Sequence, residues 1–327
     1  MRIAADSVRV RVPATSANRG PGFDVFGLAL GLHDVVEVHA TTGATRTTVR
    51  GEGADTVPQG EDHLVVRALR TGLELAGASQ VGIELTAFNR IPHGRGLGSS
   101  AAAVVAGLMA ARGLSSEPEA LSDEILLELA TEWEGHPDNA AAAILGGATL
   151  AWTEPEGGPQ KSPLVRALAL EVDPTLECTA FIPTAALATK VARSVLPALV
   201  PHADAAFTGS RTALLVLALG GRSDLMLTAT EDRLHQPYRR EVLADSTALV
   251  DALRAVGLPA VISGAGPTVL VLGDVPERVE AAIIAQGWRA VRLAVDHTGA
   301  TTVEAPGAPC GIPPHHRVLG SRVNQGS

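Results

Sequence analysis

Apolar and polar residues alternate strictly over Val8-Arg9-Val10-Arg11-Val12, the period-two pattern of a half-buried strand. Asp34-Val35-Val36-Glu37-Val38-His39 and Gly82-Ile83-Glu84-Leu85-Thr86 read the same way, and residues 41–62, rich in Thr, Gly and Asp, read as an exposed strand and turn. From His63 to Ala76 the apolar positions Leu64, Ala68, Leu69, Leu73 and Leu75 return at helical spacing. A run of small and apolar residues from Ala101 to Leu108, broken only by Gly107, predicts a second helix. Ser122 to Trp133 predicts a third, with Ser122 as N-cap and two acids in its first turn. Ala140 to Ile144 continues helically before Gly146-Gly147, and Thr149 to Trp152 reads as a strand.

Glu154 to Ser162, with its Gly, Pro and charge, marks a boundary. Beyond it come strands at 167–172 and 178–182, helices near 203–219 and 238–256, and a strand at 260–262. A turn at Ser263-Gly264-Ala265-Gly266-Pro267 leads to a strand at 268–272, a helix at 276–286 and a strand at 290–293. This order predicts an α+β fold whose second half is a split βαβ sandwich. The chain divides into an N-terminal domain over 1–160, a C-terminal domain over 161–304 and an aperiodic, flexible tail over 305–327.

Composition narrows the picture. With 327 residues, 46% of them hydrophobic and 19% charged, the chain can bury a substantial core. Only five Phe, three Trp and one Tyr are present, so that core is built from Ala, Val, Leu and Ile. A net charge of −9 argues against a general nucleic-acid or membrane-surface binder. Cys178 and Cys310 are too few for a disulfide framework or a zinc site. The N-terminus has no apolar signal region and no run reaches membrane-spanning length, so the expectation is a soluble cytoplasmic protein.

The chemistry concentrates in Asn89 to Arg112, NRIPHGRGLGSSAAAVVAGLMAAR. Gly94, Gly96 and Gly98 permit backbone conformations closed to other residues, and Ser99 or Ser100 stands where a helix N-cap belongs. A glycine loop running into a helix start offers unpaired N–H groups and the positive end of the helix dipole, which suits a phosphate chain. Serine hydroxyls add oxygen donors for phosphate or Mg²⁺. No Gly-Lys-Ser/Thr follows, so this is not a Walker A loop, and Gly94-x-Gly96-x-Gly98 is not the dinucleotide spacing. A plain glycine-rich turn opening a core helix fits the same residues.

Two further glycine-bearing segments, PATSANRGPGFD at 13–24 and SGAGPTV at 263–269, flank PHGRGLGSSAA at 92–102. In this order the three resemble the signature motifs of the GHMP kinase superfamily, and EGHPDN at 134–139, TKVARSVLP at 189–197 and HQPYR at 235–239 are similar to the homoserine kinase family within it. The resemblance implies an N-terminal ribosomal-protein-S5-like α/β domain, a C-terminal ferredoxin-like domain, and a homodimer. It implies ATP and Mg²⁺, with Pro92, His93, Gly94, Arg95, Gly96, Leu97, Gly98, Ser99, Ser100, Ala101 and Ala102 around the nucleotide. His63, where relatives commonly carry Asn, is expected near the base or ribose. Ser100 (or Ser99) and Glu134 would hold Mg²⁺.

The implied acceptor is L-homoserine, a small zwitterion with a terminal hydroxyl. Its carboxylate calls for arginine forks, assigned by resemblance to Arg193 and Arg239, with Arg233 as an alternative to the second. Asn18, Asp24, His136 and Asn139 match substrate-contacting positions, with ammonium and hydroxyl not apportioned among them. The implied mechanism is direct attack of the hydroxyl without a dedicated base, with Asp24, Glu134, Asn139 and Thr189 as the catalytic set. Arg95 would touch phosphate or face solvent. Gly264 to Pro267 would bring its backbone against the first motif. Other readings are a GHMP kinase acting on an isoprenoid precursor or a sugar, and a non-catalytic ligand sensor.

Overall fold

The structure is a computed structural model that describes residues 3–154 and 164–303, and the backbone of 318–319. The expected boundary segment, beyond Glu154, and nearly all of the expected tail lie outside the described residues. The first layer is an eight-stranded sheet. Its strands are β1 (Ser7–Asn18), β2 (Gly22–Thr41), β3 (Arg46–Gly51), β4 (Gly82–Asn89), β5 (Ala148–Glu154), β6 (Leu164–Leu170), β11 (Thr301–Val303) and β12 (Val318–Leu319). The helices α1 (Leu64–Leu75), α2 (Ser99–Leu114), α3 (Asp123–Glu134) and α4 (Asp138–Leu145) complete this half.

The alternation at Val8–Val12 predicts β1, but the strand runs on through Pro-Ala-Thr-Ser-Ala to Asn18. Small residues buried on both faces carry no alternating signature, so the pattern that marks Val8–Val12 does not extend over this stretch although it is strand. Its pairing with β2 shifts register between Pro13 and Ala14 and again between Ala17 and Asn18, which leaves only residues 19–21 as a turn. Besides β1, β2 is long enough to serve two more partners, β5 through Phe26–Leu28 and β4 through Val35–Thr41. α2 is buried on nearly every side, and Gly107 permits this: a Cβ there would stand 2.3 Å from the Val65 carbonyl of α1.

Three expectations change. The strand expected at 167–172 in the second half is β6, which forms an antiparallel hairpin with β5 and so joins the first sheet. The helix expected from Tyr238 begins only at Ala244, because Leu243 (φ −132°, ψ 40°) leaves the helical path. Neither Ser99 nor Ser100 caps α2. Left-handed Gly98 does so through its carbonyl, which accepts the Ala102 N–H at 2.8 Å, so both hydroxyls stay outside the helix ladder. Ser122 does cap α3, as expected.

The second sheet holds β7 (Glu177–Ile182), β8 (Ala260–Ile262), β9 (Val269–Leu272) and β10 (Arg289–Ala294) in the order β10-β7-β9-β8, all antiparallel. That is the ferredoxin-like β-α-β-β-α-β arrangement. The helices of this half are α5 (Thr189–Ser194), α6 (His202–Leu219), α7 (Met226–Ala229), α8 (Ala244–Ala255) and α9 (Glu277–Ile284). A continuous apolar core joins the sheets, running from Val10 and Leu28 through Cys178 and Ala180 to Leu270.

His63 is the N-cap of α1, its Nδ1 accepting the Val65 N–H at 3.3 Å. Removing a capping acceptor costs about 1 kcal/mol, and Asn is as good a cap as any. His63→Ala should therefore lower the melting temperature by about 1–3 °C while His63→Asn holds near the parent; equal melting of the two variants would contradict the capping role.

Candidate active site

The three glycine-bearing segments meet between the sheets. Gly94, Gly96 and Gly98 all have left-handed backbone (φ 63°, 73° and 70°), which coils the loop tightly before the start of α2. The first-turn N–H groups of α2 have no helical acceptor and face the dipole's positive end. A Cβ on Gly96 would stand 2.2 Å from the Ser263 carbonyl, so the third motif can close on the loop only with glycine there. Ser263 Oγ donates to Gly96 O at 2.7 Å and lies 2.9 Å from Ser16 Oγ, and Gly264 N donates to Ala17 O at 3.1 Å. The expected approach of the third motif to the first is thus present.

Arg95 is half-buried. Its guanidinium donates to the carbonyls of His93 (2.6 Å), Pro183 (3.3 Å) and Thr184 (2.5 Å), fastening the loop to the segment after β7. Pro92, Leu97 and Ala101 are buried and line neither cavity described here, so their side chains anchor the loop.

A cleft of about 140 Å³ runs past this loop. At one end Ser100 Oγ lies 2.6 Å from Glu134 Oε1, the last residue of α3. This paired hydroxyl and carboxylate is the oxygen donor chemistry that Mg²⁺ prefers, and the residues fit such an ion. Asn139 sits nearby, its Oδ1 accepting from Thr15 Oγ1 at 2.8 Å.

The other end is built of charge. Asn18, Arg19 and Asp24 all have left-handed backbone (φ 67°, 43° and 57°), a strained path that sets Asp24 behind the cleft-lining Arg193, with its N–H held by Asn18 Oδ1 at 2.9 Å. Both Asp24 oxygens engage the fork of Arg193 on α5, one of them at 3.1 Å. Arg239 is buried, with Nε on Ala192 O at 3.2 Å and Nη1 on Gly264 O at 2.9 Å. Burial, and then the charge of Arg193, pull the Arg239 guanidinium down to about 10, still cationic at neutral pH. The ring of Phe23 lies under both guanidinium groups (5.4 and 5.8 Å) and stacks on His235.

His136 Nδ1 is 2.7 Å from Asp138 Oδ1, and the same oxygen accepts the Asn139 N–H at 2.8 Å. Burial opposes charge on His136, but the hydrogen bond and charge of Asp138 outweigh it and raise the imidazole above its ordinary value. Asp24, His136 and Asp138 place ligand atoms within 4.8 Å of one another. Thr189 lines the cleft from the first turn of α5. Arg233 does not line it: its guanidinium lies over Phe207 at 3.9 Å and pairs with Asp204 at 3.4 Å.

Ser99 and Ser100 also line a second, apolar slot of about 270 Å³ between β2, α1 and α2, with His93 and Ala102. His63 opens into this slot. Burial and the charge of His93 hold His63 below its ordinary range, so it is neutral. With Nδ1 accepting from Val65, the proton rests on Nε2.

Sequence reasoning gave no role to Phe23, Asp138 or Arg19. Phe23 and Arg19 lie inside the first motif, and Asp138 lies within EGHPDN; a buried acid beside a histidine was the available signal for the last.

The chain matches GHMP kinases N terminal domain over residues 63–147 and GHMP kinases C terminal over residues 213–291. It is 52% identical to homoserine kinase from Streptomyces coelicolor, over 91% of this chain and 95% of that one. It is 49% identical to homoserine kinase from Rhodococcus erythropolis, over 88% and 93%. The crystal structure of homoserine kinase from Cytophaga hutchinsonii superposes with a TM-score of 0.77 at 27% identity, covering 92% of this chain and 98% of that one. A putative homoserine kinase from Listeria monocytogenes superposes at 0.70 with 30% identity, covering 91% and 100%. The chain belongs to the GHMP kinases and, within them, to the homoserine kinase family.

Proposed function

We propose that this chain transfers the γ-phosphoryl group of ATP to the side-chain hydroxyl of L-homoserine. The observation that carries the acceptor assignment is the Asp24–Arg193 pair beside Arg239, both arginines lining the cleft that Ser100 and Glu134 also line. An α-amino acid presents the complementary charges: its carboxylate suits the two guanidinium groups over Phe23, and its ammonium suits Asp24. The hydroxyl then lies along His136 and Asn139, towards the phosphate loop.

The loop from Gly94 to Ser100 and the start of α2 cradle the phosphates, and the slot behind Ser99 and Ser100 takes the purine, with His63 Nε2–H as a donor. Mg²⁺, when held by Ser100 and Glu134, neutralises charge on the β- and γ-phosphates. Asp24 is committed to Arg193 and His136 to Asp138, so neither is a free base. The hydroxyl oxygen attacks the γ-phosphorus directly, the bond to the ADP oxygen breaks, and the hydroxyl proton passes to the transferred phosphoryl group. Asp24, Asn139 and Thr189 orient the acceptor. The reading carries with it a homodimer, which light scattering in solution checks. Among the described residues no helix is long and apolar enough to cross a membrane.

Glu134→Gln removes the metal-holding charge and should lower kcat by roughly 10²-fold or more; full activity at saturating Mg²⁺ would remove Glu134 from that role. Charge-assisted hydrogen bonds are worth about 1.5–3 kcal/mol, so Arg193→Ala should raise the KM for homoserine roughly 10- to 100-fold. The KM for ATP should stay put, and steady-state titration of each substrate decides; equal rises in both would refute the assignment.

A further inference from the structure

Arg19 is the least expected residue behind the cleft. It sits in the tight turn between β1 and β2, and its side chain is 0% exposed. One nitrogen, Nη2, donates to Gly27 O at 2.8 Å, and the guanidinium lies over the Phe26 ring at 5.4 Å. Nε and Nη1 have no hydrogen-bond partner among the described residues. A buried cation with unmet donors is costly, by several kcal/mol, unless something on its far side answers it.

The same place holds the missing acceptors. Asp138 Oδ2 and Thr149 Oγ1 are also buried without partners. Gly27, whose carbonyl holds Arg19, marks the meeting point: a Cβ on it would stand 2.1 Å from Asp138 O and 2.7 Å from Thr149 Oγ1. Asp138 supplies a counter-charge to Arg19, and the nearby Cys178 thiol, pushed up to about 12 by burial, supplies none at neutral pH. Two guanidinium donors, a hydroxyl and a carboxylate oxygen, all buried and unpaired among the described residues, are the groups that an enclosed water satisfies.

We infer that Arg19 is a positioning residue, whose buried guanidinium acts across enclosed water on Asp138 and so fixes the carboxylate that holds His136 and Asn139 at the acceptor. The inference rests on the phosphotransfer reading above. Oδ1 of Asp138 is fully engaged by His136 and Asn139, so Oδ2 is the only oxygen left for Arg19 to steady. Without Arg19 the carboxylate is buried with no counter-charge behind it, and its grip on both acceptor-side residues loosens. The nucleotide end, built from the glycine loop and Glu134, is untouched.

The test compares Arg19→Met, which keeps the apolar stem and removes the charge, with Arg19→Lys, which keeps the charge. Arg19→Met should melt below the parent, because it leaves the Asp138 carboxylate buried without its counter-charge, and raise the KM for homoserine roughly tenfold without moving the KM for ATP. Arg19→Lys should recover most of the loss, and Arg19→Met should add nothing in an Asp138→Asn background. A crystal structure of the parent should show ordered water joining Arg19, Asp138 Oδ2 and Thr149. A parent-like homoserine KM in Arg19→Met, a rise for both substrates, or full additivity with Asp138→Asn overturns the inference. If Arg19→Met does not fold, an Arg19→Lys variant no better than Asp138→Asn, or a parent structure without that water, overturns it instead. A parent enzyme that turns over ATP but not homoserine removes the phosphotransfer reading itself, an outcome distinct from all of these.

Discussion

The backbone contact between Gly96 and the Ser263–Gly264 turn sets the geometry on which everything else depends. The two chain segments approach so closely that no Cβ fits at Gly96, and Ser263 closes the contact by bonding to Gly96 O and Ser16 together. Because β1 carries Ser16, α2 follows Gly96, and β8 and β9 flank Ser263, this contact fixes the two sheets relative to each other. The cleft is the space left on one side of it. Asn18 and Arg239 then both bond to Gly264 O, so the charged end of the cleft is referenced to the same point as the phosphate loop.

The two ends use different physics. In the proposed reading the phosphates meet backbone amides and a helix start, which present partial positive charge at no side-chain entropy cost and suit any polyphosphate. In the proposed reading the acceptor meets full charges held by other full charges, Asp24 with Arg193 and His136 with Asp138, which would discriminate strongly because an ill-matched guest leaves one of them unpaired. A guest with only one charge, or none, disturbs the Asp24–Arg193 pair without replacing it. Phosphoryl transfer asks chiefly for positioning and charge stabilisation, and this division supplies both.

Where the sequence has a strong period, it is legible: α1 with its spaced leucines, α3 with its Ser122 cap, and the four strands of the second sheet. The glycine loops and the Ser100–Glu134 pair are legible through motif chemistry. Other features are silent in sequence for physical reasons. Pro13 to Ala17 forms a strand of small residues buried on both faces, where no alternation can show. β6 follows a charged, glycine-rich stretch that reads as a domain boundary, yet its register with β5 binds it to the first sheet. Arg95 looks like a phosphate ligand because it lies among glycines, and its fork is instead spent on three carbonyls. Phe23 and Arg19 are defined by what surrounds them in space, which no local pattern encodes.

In the proposed function two opposed charges, Asp24 and the arginines beside it, choose the acceptor. The direct measurement is ADP release from Mg-ATP with L-homoserine, set beside 4-hydroxybutyrate, which lacks the ammonium, 3-aminopropanol, which lacks the carboxylate, and L-serine, L-threonine, mevalonate and galactose. Efficient turnover is expected with homoserine alone, with a severe loss of kcat/KM for each single-charge analogue. Comparable turnover of either analogue, or preference for mevalonate or galactose, would contradict it.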